Sequence, residues 1–443
     1  MILEDQLVSS LGRRRKPDRE SAALLQAVAT LISPRGHAND ASLNRACAVL
    51  RRSSPVHWVD SPGIRPFWAI TRHADILSVE LRSREFAAGP RTYLASEIGE
   101  AALEQITGKP QVVRGLTEMD EPDHAAYRSI IQATFAPATL RMMEDWLNSW
   151  AADMVESIAD RGGVCDFAAD IAAPFTFRTI ARMLGIPDSD DARLLRLTQG
   201  FVGAEDPKRR MADMPTEAMR IAMVGLCDYF DALIIDRQAR PRDDVASLIV
   251  NARVRGERIP RYEMISYFIL MITAGHDTTA LAISGGMHAL LVFPDQLARL
   301  RQEPGLLDTA IDEMLRWTSP VHHFMRTAVQ DTQIGGNRIR AGESLALFFG
   351  SGNRDEAVFP DANSFRVDRS HNPHIAFGRG PHFCIGHQLA RMEMRAIFSE
   401  LLRRIERVEL IGRARRAHST FMTGITSLPV RCTFRRTRKP AID

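Results

Sequence analysis

The stretch Phe377-Gly378-Arg379-Gly380-Pro381-His382-Phe383-Cys384-Ile385-Gly386 decides how the chain of 443 residues is read. Two glycines and a proline precede a cysteine, and a helical pattern follows over Gln388–Leu401, so the loop presents a thiol at a helix start. Backbone N–H groups and the positive end of the helix favour the thiolate there, and the glycines permit tight turns and close approach. Such a thiolate suits a haem iron, toward which it pushes electron density in favour of O–O cleavage. Gly386, without a side chain, leaves room for a flat macrocycle against the helix start. Two other readings stand beside this one. Cys384 is also readable as a buried structural thiol next to a glycine-rich turn. A metal site drawn from His371, His374, His382, Cys384 and His387 is the other, but it lacks the paired spacing of common zinc sites and offers one cysteine.

Working outward, helical periodicity marks Thr139–Ala159, Arg220–Arg237, Arg261–Leu291 and Gly305–Trp317, with Pro137, Pro260, Pro294 and Pro320 as boundaries. Short β-like pieces occur at Phe67–Thr71, Gln333–Ile339, Ser344–Phe349 and Leu428–Phe434, separated by Gly, Asn and Pro turns. The fold class is therefore mostly α with minor β sheets. Within the most apolar of the helices stands Ala274-Gly275-His276-Asp277-Thr278-Thr279, where polar groups are costly unless they find partners. The Thr278 hydroxyl is placed to bond the carbonyl of Ala274, which would loosen the helical ladder, and the small Ala274 and Gly275 leave space beside it. Glu313 and Arg316 are spaced to form an ion pair on one helix face.

Composition excludes several function classes. Hydrophobic residues at 45% and charged residues at 25% are globular values. The formal charge of +3, from 57 basic and 54 acidic residues, is too balanced for a general nucleic-acid binder. The five scattered cysteines argue for a reducing compartment rather than a disulfide framework. The apolar run Met264–Ala274 is too short to span a bilayer, and no signal-peptide pattern opens the chain, which points to a cytoplasmic protein without membrane attachment. No repeat and no low-complexity linker divides it. We expect a flexible basic arm over residues 1–20 and one domain over residues 21–443.

The loop from Phe377 to Gly386 resembles the haem-binding signature of the cytochrome P-450 family at every fixed position, Phe-Gly-x-Gly-x-His-x-Cys-x-Gly, and the resemblance runs from about Ser54 to the C-terminus. It implies a soluble, bacterial-type haem-thiolate monooxygenase, with haem b between the long central helix and the cysteine loop and Cys384 as the iron ligand. By position, Phe377, Gly378, Gly386 and Ala274 contact the cofactor, while Asp277 and Thr278 relay protons to iron-bound oxygen. Glu313 and Arg316 become a buried pair bracing the cysteine loop. Ser364 stands where many relatives carry a basic third partner, so Arg366 or Arg369 is expected to substitute. His124 and Arg128, Arg326, and His382 fall where the family pairs cations with the haem propionates.

The implied reaction inserts one atom of dioxygen into a hydrophobic small molecule, with a terpenoid, steroid-like or polyketide scaffold expected. Electrons would come from a separate ferredoxin and a ferredoxin reductase fed by NAD(P)H, because nothing in the chain resembles a flavin or iron–sulfur module. Arg72, Arg128, Arg379, Arg391 and Arg395 form an expected basic docking face. Substrate-facing segments are expected at Gly89–Arg114, Phe175–Ala222, Ile269–Thr278, Val321–Met325 and Phe421–Thr423, with Phe324, Phe421 and Met422 as pocket candidates and His276, His322 and His323 as possible polar anchors. The alternatives are a peroxygenase of the same fold that uses hydrogen peroxide, and a non-catalytic haem sensor or carrier. Neither has the same need of an Asp277–Thr278 relay.

Overall fold

The computed structural model describes residues 19–107 and 113–435. Of the expected basic arm, residues 1–18 lie outside the described residues, and Arg19 already opens a helix, Arg19–Leu31.

The axis of the molecule is the helix Arg261–Val292, of 32 residues. Its sequence is apolar on nearly all sides, which a helix tolerates only when surrounded by protein, and Tyr267, Phe268, Ile272, Ile283 and Leu290 are all buried. Pro260 precedes its first turn and Pro294 begins the next helix, Pro294–Gln302. Glycines on this axis let neighbours approach closely. A Cβ at Gly275 would lie 2.7 Å from Ile180 of the helix Ala173–Met183, and one at Gly285 would lie 2.4 Å from Thr318 of the helix Leu307–Thr318. One apolar core, containing Phe175, Ile283, Met314 and Ile397, joins the axis to the helix His387–Arg404 that follows the cysteine loop. A second, containing Phe177, Phe230, Tyr267 and Phe268, packs the opposite flank.

The largest sheet has five strands in the order Val56–Ser61, Ile64–Ile70, Ser344–Phe348, His323–Ala328 and Phe86–Ala87. Its register is antiparallel except where Leu345 to Leu347 run parallel to Trp68 to Ile70. Alternation along His323–Ala328 puts Phe324 and Arg326 on one face. A smaller sheet orders Ile405–Leu410, Pro429–Phe434 and Val164–Asp166.

Two sequence expectations need revision. Thr139–Ala159 is not one helix but Pro137–Arg141 followed by Glu144–Asp160. The break falls where Met142 and Met143 bond the carbonyls of Thr139 and Leu140, three residues back instead of four. Gln333–Ile339 is a hairpin of Thr332–Ile334 and Asn337–Ile339, turned by Gly335 and Gly336, both at positive φ. No described helix is long and apolar enough to cross a membrane.

Candidate active site

A cavity of about 230 Å³ opens between the central helix and the cysteine loop, lined mainly by apolar groups. Ala274, Gly275 and Thr278 form one wall, and Phe377, Gly378, His382, Cys384 and Gly386 form the facing one. The Thr278 hydroxyl donates to the carbonyl of Ala274 at 2.9 Å. The helix runs unbroken through this point, so the groove comes from small side chains and not from an opened ladder.

The cysteine loop is held at several points. The N–H of Cys384 donates to the Phe377 carbonyl at 2.9 Å, and the Arg391 guanidinium lies 4.7 Å from the Phe377 ring centre. The expectation of a thiol favoured as thiolate by the helix start is corrected here. Burial pushes the Cys384 thiol up, and the Gly386 N–H, Arg128 and Arg391 oppose that rise without cancelling it. The surroundings alone do not ionise the thiol; a coordinated metal ion does so outright. All five cysteines are free, and among the described residues Cys384 is the one cysteine on the cavity wall. No group of three or more His, Cys, Asp or Glu is disposed to hold a metal ion among the described residues, which removes the His371, His374, His382 and His387 alternative.

One edge of the cavity carries His124, Arg128, Arg326 and His382. The rings of His124 and His382 lie 4.3 Å apart, and Arg128 donates to the Phe383 carbonyl at 2.8 Å. Burial, reinforced by Arg326, His124 and Arg128, holds His382 down at about 2. Burial also lowers His124, which Glu121 partly offsets. Burial thus works against the cationic form of both imidazoles. Nε2 of His124 is buried with no hydrogen-bond partner among the described residues. A flat slot with a thiol on one face, two guanidiniums and an orphaned imidazole nitrogen at one edge fits haem and its two carboxylates. At Gly386 an added Cβ would have nothing nearer than 4.0 Å, which leaves room on that side.

Asp277 does not line the cavity. Its carboxylate accepts two bonds from Nη2 of Arg209, at 2.9 and 3.1 Å, and its side chain is 3% exposed. His276 is turned away, with Nδ1 at 2.6 Å from the Ile272 carbonyl and Nε2 at 3.3 Å from the Thr198 hydroxyl. His322 and His323 are buried against Phe348, off the cavity. Phe324 lines the cavity, whereas Phe421 packs behind it at 5.3 Å between ring centres and Met422 pairs with Val321 in a β-bridge. Of the expected substrate-facing segments, Gly89–Arg114 contributes no described wall residue, and its residues 108–112 lie outside the described residues; the adjacent Leu116 and Thr117 line the cavity instead.

The brace beneath the loop is complete. Arg316 donates to both oxygens of Glu313 at 2.7 and 2.8 Å, with both side chains 0% exposed. Arg369 supplies the third side chain at 3.0 Å, and Arg366 contributes its backbone N–H at 2.9 Å while its guanidinium turns to Asp368.

Three residues escaped sequence reasoning. Arg209 lies in Asp206-Pro207-Lys208-Arg209-Arg210, a run that reads as solvated; the available signal was that a buried Asp277 requires a cation. Glu80 stands on the cavity wall without any motif to announce it. Glu393 shares the inward face of its helix with Leu389, Ala390 and Ile397, a placement that the spacing permits one to read. It lines the cavity, neither carboxylate oxygen has a hydrogen-bond partner among the described residues, and burial pushes its pKa well above the usual range despite the hydroxyls of Thr179 and Thr279.

Comparison with known proteins bears directly on this geometry. The family model described as Cytochrome P450 matches residues 90–409. Cytochrome P450-terp of Pseudomonas sp is 35% identical over 413 residues, covering 91% of this chain and 96% of that protein. Linalool 8-monooxygenase of Pseudomonas putida is 36% identical, covering 86% of this chain and 94% of its own. The Mycobacterium marinum cytochrome P450 CYP268A2, solved in complex with pseudoionone, superposes with a TM-score of 0.84 at 32% identity, covering 95% of this chain and 100% of the other. A thiol facing a Thr-lined groove, a cationic edge and a matching chain course thus coincide: the chain belongs to the cytochrome P450 family, oxidoreductases that hold haem by a cysteine thiolate and act as monooxygenases.

Proposed function

We propose that Cys384 is the iron ligand and that the enzyme inserts one oxygen atom from dioxygen into a hydrophobic terpenoid. The observation that carries this is that Cys384 of the loop and Thr278 of the central helix line one apolar cavity. When bound there, haem supplies the two-electron activation of dioxygen. The protein's own groups do the rest. Leu116, Leu270, Met271, Val321 and Phe324 exclude water and hold an apolar substrate, with the Thr117 hydroxyl available to a polar end. Arg128, Arg326, His124 and His382 anchor the cofactor's carboxylates, and Phe377, Gly378, Ala274 and Gly386 shape its two faces. Thr278 holds a proton at Oγ1 beside the oxygen site. Asp277 resupplies it, which requires Arg209 to release the carboxylate that it now clamps.

The substrate class is supported by linalool in the name of one relative and pseudoionone bound to another. Removing the thiolate tests the whole reading: Cys384→Ala should abolish the red-shifted Soret band of the ferrous carbon monoxide complex, and retention of that band refutes it. Within that framework, a terpenoid panel should convert low-spin to high-spin haem more strongly than steroids or polyketides.

A ferredoxin is the proposed electron source, with a reductase using NAD(P)H, and the cytoplasm the proposed location. The docking face is narrower than sequence indicated, since Arg128 faces the cavity and Arg379 donates to the carbonyls of Gly378 and His374. Arg391 and Arg395 stand over Asp312 and Asp308 at 2.9 and 2.7 Å. Reversing both arginines to Glu sets like charges together on that face and should raise the apparent KM for ferredoxin. Full-rate turnover with hydrogen peroxide alone would favour the peroxygenase alternative, and reversible dioxygen binding with neither dioxygen consumption nor product would favour a carrier.

A further inference from the structure

The cavity edge that carries the guanidiniums also carries an acid. Glu80 is the penultimate residue of the helix His73–Leu81, and its side chain, 2% exposed, reaches the cavity wall. Both of its oxygens are committed. Oε1 accepts from Nη2 of Arg326 at 2.7 Å, and Oε2 accepts from the backbone N–H of Arg379 at 2.8 Å. The contact with the cysteine loop is close. A Cβ at Gly378 would sit 2.9 Å from Oε2, and one at Gly380 would sit 2.4 Å from the Glu80 carbonyl oxygen. Both glycines also hold positive φ, 67° and 69°, so the loop can lie here only with glycine at those positions. One carboxylate therefore ties the start of the cysteine loop to a cation on the strand His323–Ala328.

Haem brings two carboxylates of its own, and buried carboxylates need cations or donors. The guanidiniums of Arg128 and Arg326 stand at this edge, and that of Arg326 is already shared with Glu80. Glu80 adds a third buried acid to the same cavity. Ferric iron carries one more positive charge than ferrous, so a nearby buried anion favours the ferric form, and the low dielectric of the site strengthens the effect.

We propose that Glu80 is a positioning residue that fixes Arg326 and the cysteine loop together and, through its charge, holds the reduction potential of the haem down. This rests on the haem assignment, which the ferrous carbon monoxide spectrum of the unaltered protein checks independently.

The test is a spectroelectrochemical titration of the full-length, haem-loaded protein without any electron partner. Glu80→Gln keeps an acceptor for the Arg379 N–H and removes the charge, so the midpoint should move to more positive potential. Arg326→Gln leaves the acid unpaired and should move it to more negative potential. In the double variant the two shifts should combine non-additively, because the two side chains touch. Glu80→Ala, which also removes the acceptor, should lose haem to apomyoglobin several-fold faster than Glu80→Gln. A midpoint that stays put or falls in Glu80→Gln overturns the proposal. Should Glu80→Gln alone fail to retain haem, the double variant is compared with Arg326→Gln, and a midpoint no more positive in the double variant overturns it.

Discussion

At Asp277 the geometry sets a condition on catalysis that the residue types do not reveal. The acid proposed to feed protons to Thr278 is itself clamped by Arg209 and lies off the cavity. Positioned acid–base groups contribute roughly 10² to 10⁴ in rate. Asp277→Asn keeps the shape and removes the proton carrier, so product formation should fall by about 10²-fold while the substrate-induced spin change stays intact. Product formation within twofold of the parent would take Asp277 out of the relay. Cys384, Thr278 and Asp277 could be singled out in the sequence because each sits in a contiguous motif whose neighbours restrict its meaning, and the structure puts the first two on the cavity and the third off it. The partners could not be singled out. Arg209 and Glu80 reach the site from loops and helix ends with no local pattern, and the lowering of His382 comes from burial and the nearby Arg326, His124 and Arg128, which only the folded chain brings together.

Among the elements, the brace under the cysteine loop has the clearest energetic consequence. Glu313 takes bonds from Arg316, Arg369, the Arg366 N–H and Asn372, all converging beneath the loop. Glu313→Gln strands two buried guanidiniums. Breaking a buried ion pair from one side costs about 3–5 kcal/mol, and urea unfolding should show a loss of that order together with poor haem retention. A loss below about 1 kcal/mol would place the brace with surface pairs of little consequence. The spacing of Glu313 and Arg316 gave away the helix face but not the burial, since such pairs more often face water. The central helix was readable for the opposite reason: its apolar residues cover every side, a pattern that only burial permits. Thr139–Ala159 misled because apolar periodicity continues across Met142 and Met143 while the hydrogen-bond spacing changes there.

For the whole molecule, acid should be destabilising through a buried histidine group beside the cavity-lining Val321 and Phe324. His37 and His322 meet ring to ring at 4.7 Å, and His323 packs on the same Phe348 as His322. Burial, aided by Arg416 and opposed by the bond to the Leu31 carbonyl, holds His37 at about 4, and burial with the nearby His37 and His323 drives His322 well down; burial, with His37 and Arg91, holds His323 at about 3. In the unfolded chain these imidazoles titrate near 6.5. As pH falls below that value the unfolded chain takes up protons that the folded chain refuses. The stability they contribute is thus fully present above about pH 6.5 and drains away toward pH 4, by about 3 kcal/mol for His37 alone. The urea midpoint should drop steadily between pH 7 and pH 5, and less so in His37→Asn. A midpoint flat over that range would mean that the cluster opens to solvent.

The bond from Glu80 to the Arg379 N–H spans 299 residues of sequence. A ribosome adding about 5–20 residues per second needs on the order of 15 to 60 s to make that much chain. Throughout that interval one flank of the slot exists without the other. Cofactor capture must therefore come at the end of synthesis, and the half-built cavity has to be kept from aggregating until then.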